Sequence, residues 1–163
     1  MTSSPVERFA TLAREYCTLV GGRQGDTGEG FTSKASMVRL GHLRAALCAA
    51  AFELPEAEPV SDRERTWPDP PQVARLGRFE WHLGVTDPYA DVGATKQALS
   101  DDLADIYRDL ASGLAEYERG DEAGVQDASF DWREGFLSHW GTHATSALHA
   151  LRHAIGVLEQ EGS

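Results

Sequence analysis

Behind the dipeptide Ser4-Pro5, the apolar residues Val6, Phe9, Ala13, Tyr16 and Val20 recur at steps of three and four. That spacing predicts an amphipathic helix with a Ser cap and Pro in its first turn, stopped by Gly21-Gly22. The RQGDTGEG stretch that follows matches no phosphate-binding glycine pattern and reads as a flexible connection. A second helix opens near Thr32 or Ser33 and carries Val38, Leu40, Leu43, Leu47, Ala50, Ala51 and Leu54. Its small residues between Ala45 and Ala51 favour close helix approach, which predicts a central position. His42 falls within this pattern and reads as a core or edge histidine.

Periodicity then stops. Residues 55–71 hold five prolines and seven charged residues, the composition of a long surface loop. Pro70-Pro71 predicts the start of a short helix carrying Val73 and Leu76, with Trp81 in an extended or turn segment ending at Asp87-Pro88. Ser100 is a suitable cap for a helix bearing Leu103, Ile106, Tyr107, Leu110, Leu114 and Tyr117, which Gly120 ends. Asp121 caps one last long helix whose apolar arc runs through Trp132, Phe136, Leu137, Trp140, Ala144, Leu148, Leu151 and Ile155 to Leu158. No alternating strand pattern competes with comparable strength. The expectation is an all-α fold, a single domain over residues 1–163, built as a helical bundle of about five helices with a long Pro-rich surface loop.

Composition narrows the partners. A formal charge of −11 with basic residues scattered as singles argues against nucleic acid. No run approaches the roughly 18 apolar residues of a membrane span, and the N-terminus lacks the apolar core of a signal peptide. These features predict a cytoplasmic protein, monomer or homodimer, and thirteen arginines to two lysines lean toward a GC-rich bacterial genome. Cys17 and Cys48 lie in helical apolar patterns far apart, as structural thiols do.

The ionisable residues concentrate in the second half. On a helical wheel Asp102, Asp105, Asp109 and Glu116 form an acidic stripe beside the apolar arc. On the final helix Arg133 falls within the apolar arc, with His143 at its margin and His139 just beyond, whereas His149 and His153 point to solvent. A short turn makes the two helices antiparallel neighbours, which brings the acidic stripe opposite these residues. An arginine in an apolar arc needs a carboxylate, so Arg133 is expected to pair with Asp109 or Asp105. The ligand-binding candidates are therefore Asp102, Asp105, Asp109, Arg133, His139 and His143. Read structurally, this set is an ion-paired seam that fixes helix register. Read functionally, it binds a small ligand, or a divalent metal held by Asp102, Asp105, His139 and His143, since histidines at i and i+4 of one helix can share an ion. No cofactor is predicted from the motifs.

The phrases SDDLADIYRDL and FDWREGFLSHWGTHATSALHAL, with REYC, ELPEAE and DPY earlier in the chain, resemble a bacterial family known as domain of unknown function (DUF) 5063. That resemblance implies an all-α single domain and brings no activity, cofactor or partner. DDLADI is also similar to the second acidic motif of the all-α nucleoside triphosphate pyrophosphatases, which hold magnesium between carboxylates on facing helices. Their earlier acidic motif has no intact counterpart, because Pro55 interrupts the only ExxE, at Glu53 and Glu56. The sequence contains no nucleophile with its base, phosphate loop or zinc quartet. It predicts a non-enzymatic module that binds a partner protein or small molecule, with a metal-dependent hydrolase or metal-binding protein as the alternative.

Overall fold

Ser4 accepts a hydrogen bond from the Glu7 amide while the Glu7 carboxylate accepts one from the Ser4 amide, a reciprocal cap that opens α1 (Pro5–Gly21). A computed structural model describes residues 3–22, 31–73 and 76–162. The Gly-rich stretch at 23–30, read above as a flexible connection, lies outside the described residues. Ser33 caps α2 (Lys34–Phe52), after which residues 55–73 run without regular structure. A 3₁₀ turn, Gly77–Phe79, leads into β1 (Trp81–Gly84), which pairs antiparallel with β2 (Thr95–Ala98). Three helices complete the chain: α3 (Leu99–Tyr117), α4 (Glu122–Ser138) and α5 (Trp140–Glu161). Among the described residues the fold is an all-α bundle of five helices with one small hairpin, and none of these helices is long and apolar enough to cross a membrane.

The core is one contiguous cluster. Phe9 of α1 lies against Trp132 of α4 and Trp140 of α5, with ring centroids 4.9 and 5.9 Å apart. Both indoles are fully buried, so their N–H groups need partners: Trp132 donates to the Leu110 carbonyl at 3.2 Å and Trp140 to the Trp132 carbonyl at 3.0 Å. Cys48 is buried and Cys17 half-buried; burial pushes both thiols up, Cys17 to about 12, as befits inert packing groups.

Several local expectations need correction. The predicted final helix is two helices broken at His139, whose φ of −142° and ψ of −83° are not helical. The i,i+4 series Trp132, Phe136, Trp140, Ala144 runs straight through the break, so periodicity alone does not reveal it. Gly141 makes the junction possible, because a Cβ there would stand 2.0 Å from the Phe136 carbonyl oxygen. The change of direction leaves Leu137 exposed. The helix predicted from Pro70-Pro71 is absent among the described residues. Glu80 instead holds a turn, its carboxylate accepting from the Leu76 amide at 2.9 Å and from the Ser100 hydroxyl. Ser100 is thus spent on Glu80 and does not cap α3, whose first residue follows directly from β2.

Position in the bundle is corrected as well. α3, not α2, takes the middle, touching α1, α4, α5 and the hairpin. The alanine run of α2 is divided, with Ala45, Ala49 and His42 exposed and Ala51 buried in the core, and α2 meets α5 where Gly41 faces Leu148. The hairpin was not foreseen, since its four-residue strands alternate too briefly to stand out. It lies close on α5 at Gly84, where a Cβ would meet the Ser146 hydroxyl at 2.6 Å.

Candidate functional site

Asp101 and Asp102 occupy the first turn of α3, where unpaired amides and the helix dipole favour negative charge. Asp101 faces solvent, whereas Asp102 turns inward and is almost fully buried. Its two oxygens are taken by two histidines from different elements. His143 of α5 donates from Nδ1 to Oδ1 at 2.8 Å, and His82 of β1 donates from Nε2 to Oδ2 at 2.7 Å. One carboxylate therefore ties hairpin, α3 and α5 together. The hydrogen bond to Asp102 raises the His143 pKa above its ordinary 6.5; burial opposes this, and the charges of Asp102, Asp105 and Asp109 reinforce it. Asp105 stands 3.8 Å from His143 Nε2 and the same distance from Arg108.

Two turns further along α3, Asp109 accepts from His139 Nδ1 at 2.6 Å. His139 sits in the break between α4 and α5 and not on one helix with His143, yet the two rings remain neighbours, 5.0 Å between centroids. This second pair borders a pocket of about 250 Å³ between α3, α4 and the Pro-rich loop. Trp67 forms the loop side, Phe130, Asp131, Glu134, Gly135 and Ser138 come from α4, and Asp109 and Ser112 come from α3. Ser112 is 2% exposed, and its hydroxyl has no hydrogen-bond partner among the described residues.

The loop is held on α4 by buried charge. Asp127, wholly buried, accepts from the Val60 amide at 2.8 Å, from the Ser61 amide at 3.3 Å and from the Ser61 hydroxyl. Burial alone would raise the Asp127 pKa, but these hydrogen bonds and the Arg65 charge outweigh it and hold the carboxyl below its usual range. Arg65 lies 2.6 Å from Asp131 and 3.6 Å from Asp127. For Asp131 burial wins and its pKa is raised. Gln126 adds a hydrogen bond to the Glu58 carbonyl at 3.0 Å.

The six sequence candidates divide accordingly. Asp102, Asp105 and His143 form one group and Asp109 with His139 the next, side by side along α3. Arg133 joins neither. It does not pair with Asp109 or Asp105 as expected; it reaches Glu56 of the loop at 3.2 Å, and Glu56 is 90% exposed. The histidines have taken the carboxylates on which that pairing depended. Glu116, the last member of the stripe, pairs with Arg119 at 2.8 Å, and His149 and His153 face solvent as read. Glu53 and Glu56 turn to Arg8 and Arg133 and present no carboxylate pair to α3. Among the described residues no three His, Cys, Asp or Glu side chains are grouped to hold a metal ion.

Four residues of this region were not singled out from sequence. His82 and Trp67 lie in segments without periodicity, so nothing placed them against α3 or α4. Ser112 carried no signal among the small residues of α3. Arg44 was masked by the pattern of α2: it is fully buried, and its three side-chain nitrogens have no hydrogen-bond partner among the described residues. Its charge reaches the buried Tyr16 phenol, which donates to the Leu103 carbonyl at 3.1 Å. Burial pushes that phenol up to about 12 although Arg44 pulls it down.

Fold and site together define a helical-bundle protein with histidine–aspartate pairs along one helix. The chain belongs to the family described as Domain of unknown function (DUF5063), whose model matches residues 1–156. Its backbone is similar to the crystal structure of protein BF1032 from Bacteroides fragilis, a structural genomics target. The two share 20% identity and a TM-score of 0.69, over 91% of this chain and 90% of that one, a likeness of fold. No curated protein matches the chain.

Proposed function

We propose that this protein is a non-enzymatic small-ligand-binding module and that its site is the pocket between α3, α4 and the loop at Trp67. The observation that carries this reading is the Ser112 hydroxyl, buried at the pocket wall without a partner. A buried hydroxyl left unsatisfied costs on the order of 1–3 kcal/mol, which a bound polar group recovers. The pocket joins an aromatic wall to a few polar groups, as small-molecule sites do, and its volume, below the roughly 300 Å³ at which drug-sized sites begin, suits a small ligand. A wider concavity of about 840 Å³ runs between α1 and α2, but it is an open groove in which none of the described lining residues carries a buried unsatisfied polar group.

The absence of an activated nucleophile supports a binding role over a catalytic one. His139 is oriented by Asp109, yet Ser112 makes no hydrogen bond to it and the Ser138 hydroxyl donates to the Glu134 carbonyl, so neither hydroxyl of the described lining is set against the base. Screening a fragment library by amide and indole chemical shifts tests the reading. Binders are expected to move the Trp67 indole and the amides of Ser112, Gly135 and His139, and to lose affinity in Trp67→Ala. Shifts confined to the α1–α2 groove would overturn it.

A further inference from the structure

The lining of the α3–α4 pocket has a pronounced chemical bias. Among the described residues no lysine or arginine lines it, while Asp109, Asp131 and Glu134 do. Arg65 pairs with Asp131 at 2.6 Å, and the Nδ1–H of His139 is committed to Asp109. In its neutral form His139 therefore keeps a second nitrogen, Nε2, that can only accept a hydrogen bond. Gly135 and Ser138 belong to the last turn of α4, so the pocket also stands at the negative end of that helix dipole. Trp67, 59% exposed, and Phe130 supply two aromatic rings, whose faces attract positive charge. Ser112, buried and without a hydrogen-bond partner among the described residues, gives the pocket an unsatisfied polar group.

Resting on the binding-site reading above, we infer that the pocket takes a small organic cation, a substituted ammonium with a short polar arm. The aromatic rings and carboxylates receive the cationic head, and the arm reaches the Ser112 hydroxyl. An anion of equal size would meet three carboxylates and a helix C-terminus, with no lysine or arginine among the described lining residues. A neutral molecule would gain only the apolar contact.

Choline, its neutral carbon isostere dimethylbutanol, and the anion pivalate separate these cases at nearly constant shape. Dissociation constants are read from titrations of the Trp67 indole and Ser112 amide signals. Choline is expected to bind at least about ten-fold tighter than dimethylbutanol, the ratio a partly desolvated cation–π contact with nearby carboxylates provides. Pivalate is expected to leave the signals unmoved. Trp67→Leu and Glu134→Gln, both at exposed positions, should each bring the choline-to-dimethylbutanol ratio toward one. Equal or tighter binding of dimethylbutanol or pivalate at the same signals would overturn the cation assignment and leave the pocket as a binding site. If no probe of any charge moves the pocket signals, the binding-site reading falls with it.

Discussion

Asp102 and His143 meet across the seam between α3 and α5, the ring Nδ1–H donating to Oδ1 at 2.8 Å while Oδ2 accepts from His82. A carboxylate is the one side chain of this size that accepts from both rings at once. Asn offers a single carbonyl oxygen, and its amide hydrogens would oppose the second N–H. Asp102→Asn is therefore expected to destabilise the fold by about 3 kcal/mol, as loss of one partner from a buried charge-assisted set does. Urea denaturation measures the change, and Asp101→Asn, at the exposed neighbouring position, is the control with an effect within about 0.5 kcal/mol.

The same contact predicts how stability varies with pH. Asp102 raises the pKa of His143 in the folded state above the 6.5 of the free side chain, so the folded protein holds that proton more tightly than the unfolded chain. The resulting stabilisation is fully present below about pH 6.5 and is lost as pH rises through the higher folded value. Midpoints of denaturation measured across that window should fall with rising pH. In His143→Gln this part of the slope should vanish.

Much of this arrangement is legible in the sequence. The acidic stripe of α3 could be placed because helical spacing alone fixes which residues share a face, and Asp102, Asp105 and Asp109 do lie along the seam with α5. The choice of partners could not be read, because it depends on the break at His139. An unbroken helix aims Arg133 at Asp109, whereas the bend hands Asp109 to His139 and turns Arg133 toward Glu56. His82 and Trp67 were illegible for a different reason: they reach the site from chain without periodicity, whose path is set by long-range contacts such as Asp127 with residues 60 and 61.

Arg133 and Asp127 show how burial, and not charge, decides the worth of a contact to the loop. Glu56 is solvated, so Arg133→Ala should cost no more than about 0.5 kcal/mol. Asp127→Ala strands the Val60 amide and the Ser61 hydroxyl and removes a counter-charge from Arg65. A loss of about 3 kcal/mol is expected, together with faster proteolysis between residues 56 and 70. Equal effects of the two substitutions would show that the loop is not held at Asp127.

Arg44 is the opposite case, a buried guanidinium, beside the Tyr16 phenol, whose nitrogens meet no hydrogen-bond geometry among the described residues. Removing an unpaired buried charge while filling its volume relieves desolvation instead of creating it. Arg44→Met is expected to raise stability by on the order of 1 kcal/mol. A loss of several kcal/mol in calorimetry would mean that the guanidinium is compensated in solution by a group it does not touch here.

Gly141 tests the junction on which the whole site depends. A methyl group there would sit 2.0 Å from the Phe136 carbonyl oxygen and 2.9 Å from the Phe136 ring, and the first of these contacts is with backbone that no rotamer change can move. Gly141→Ala must therefore displace α5 relative to α4, carrying His139 and His143 away from Asp109 and Asp102. Overpacking of this kind costs about 1–3 kcal/mol. The loss of the two His–Asp contacts adds a signature that packing strain alone does not produce. The His143 imidazole should titrate closer to its ordinary value in Gly141→Ala, a shift that proton NMR of the ring reads directly. By contrast, Gly156→Ala, where an added Cβ meets nothing within 4 Å, should leave both the titration and the fold intact.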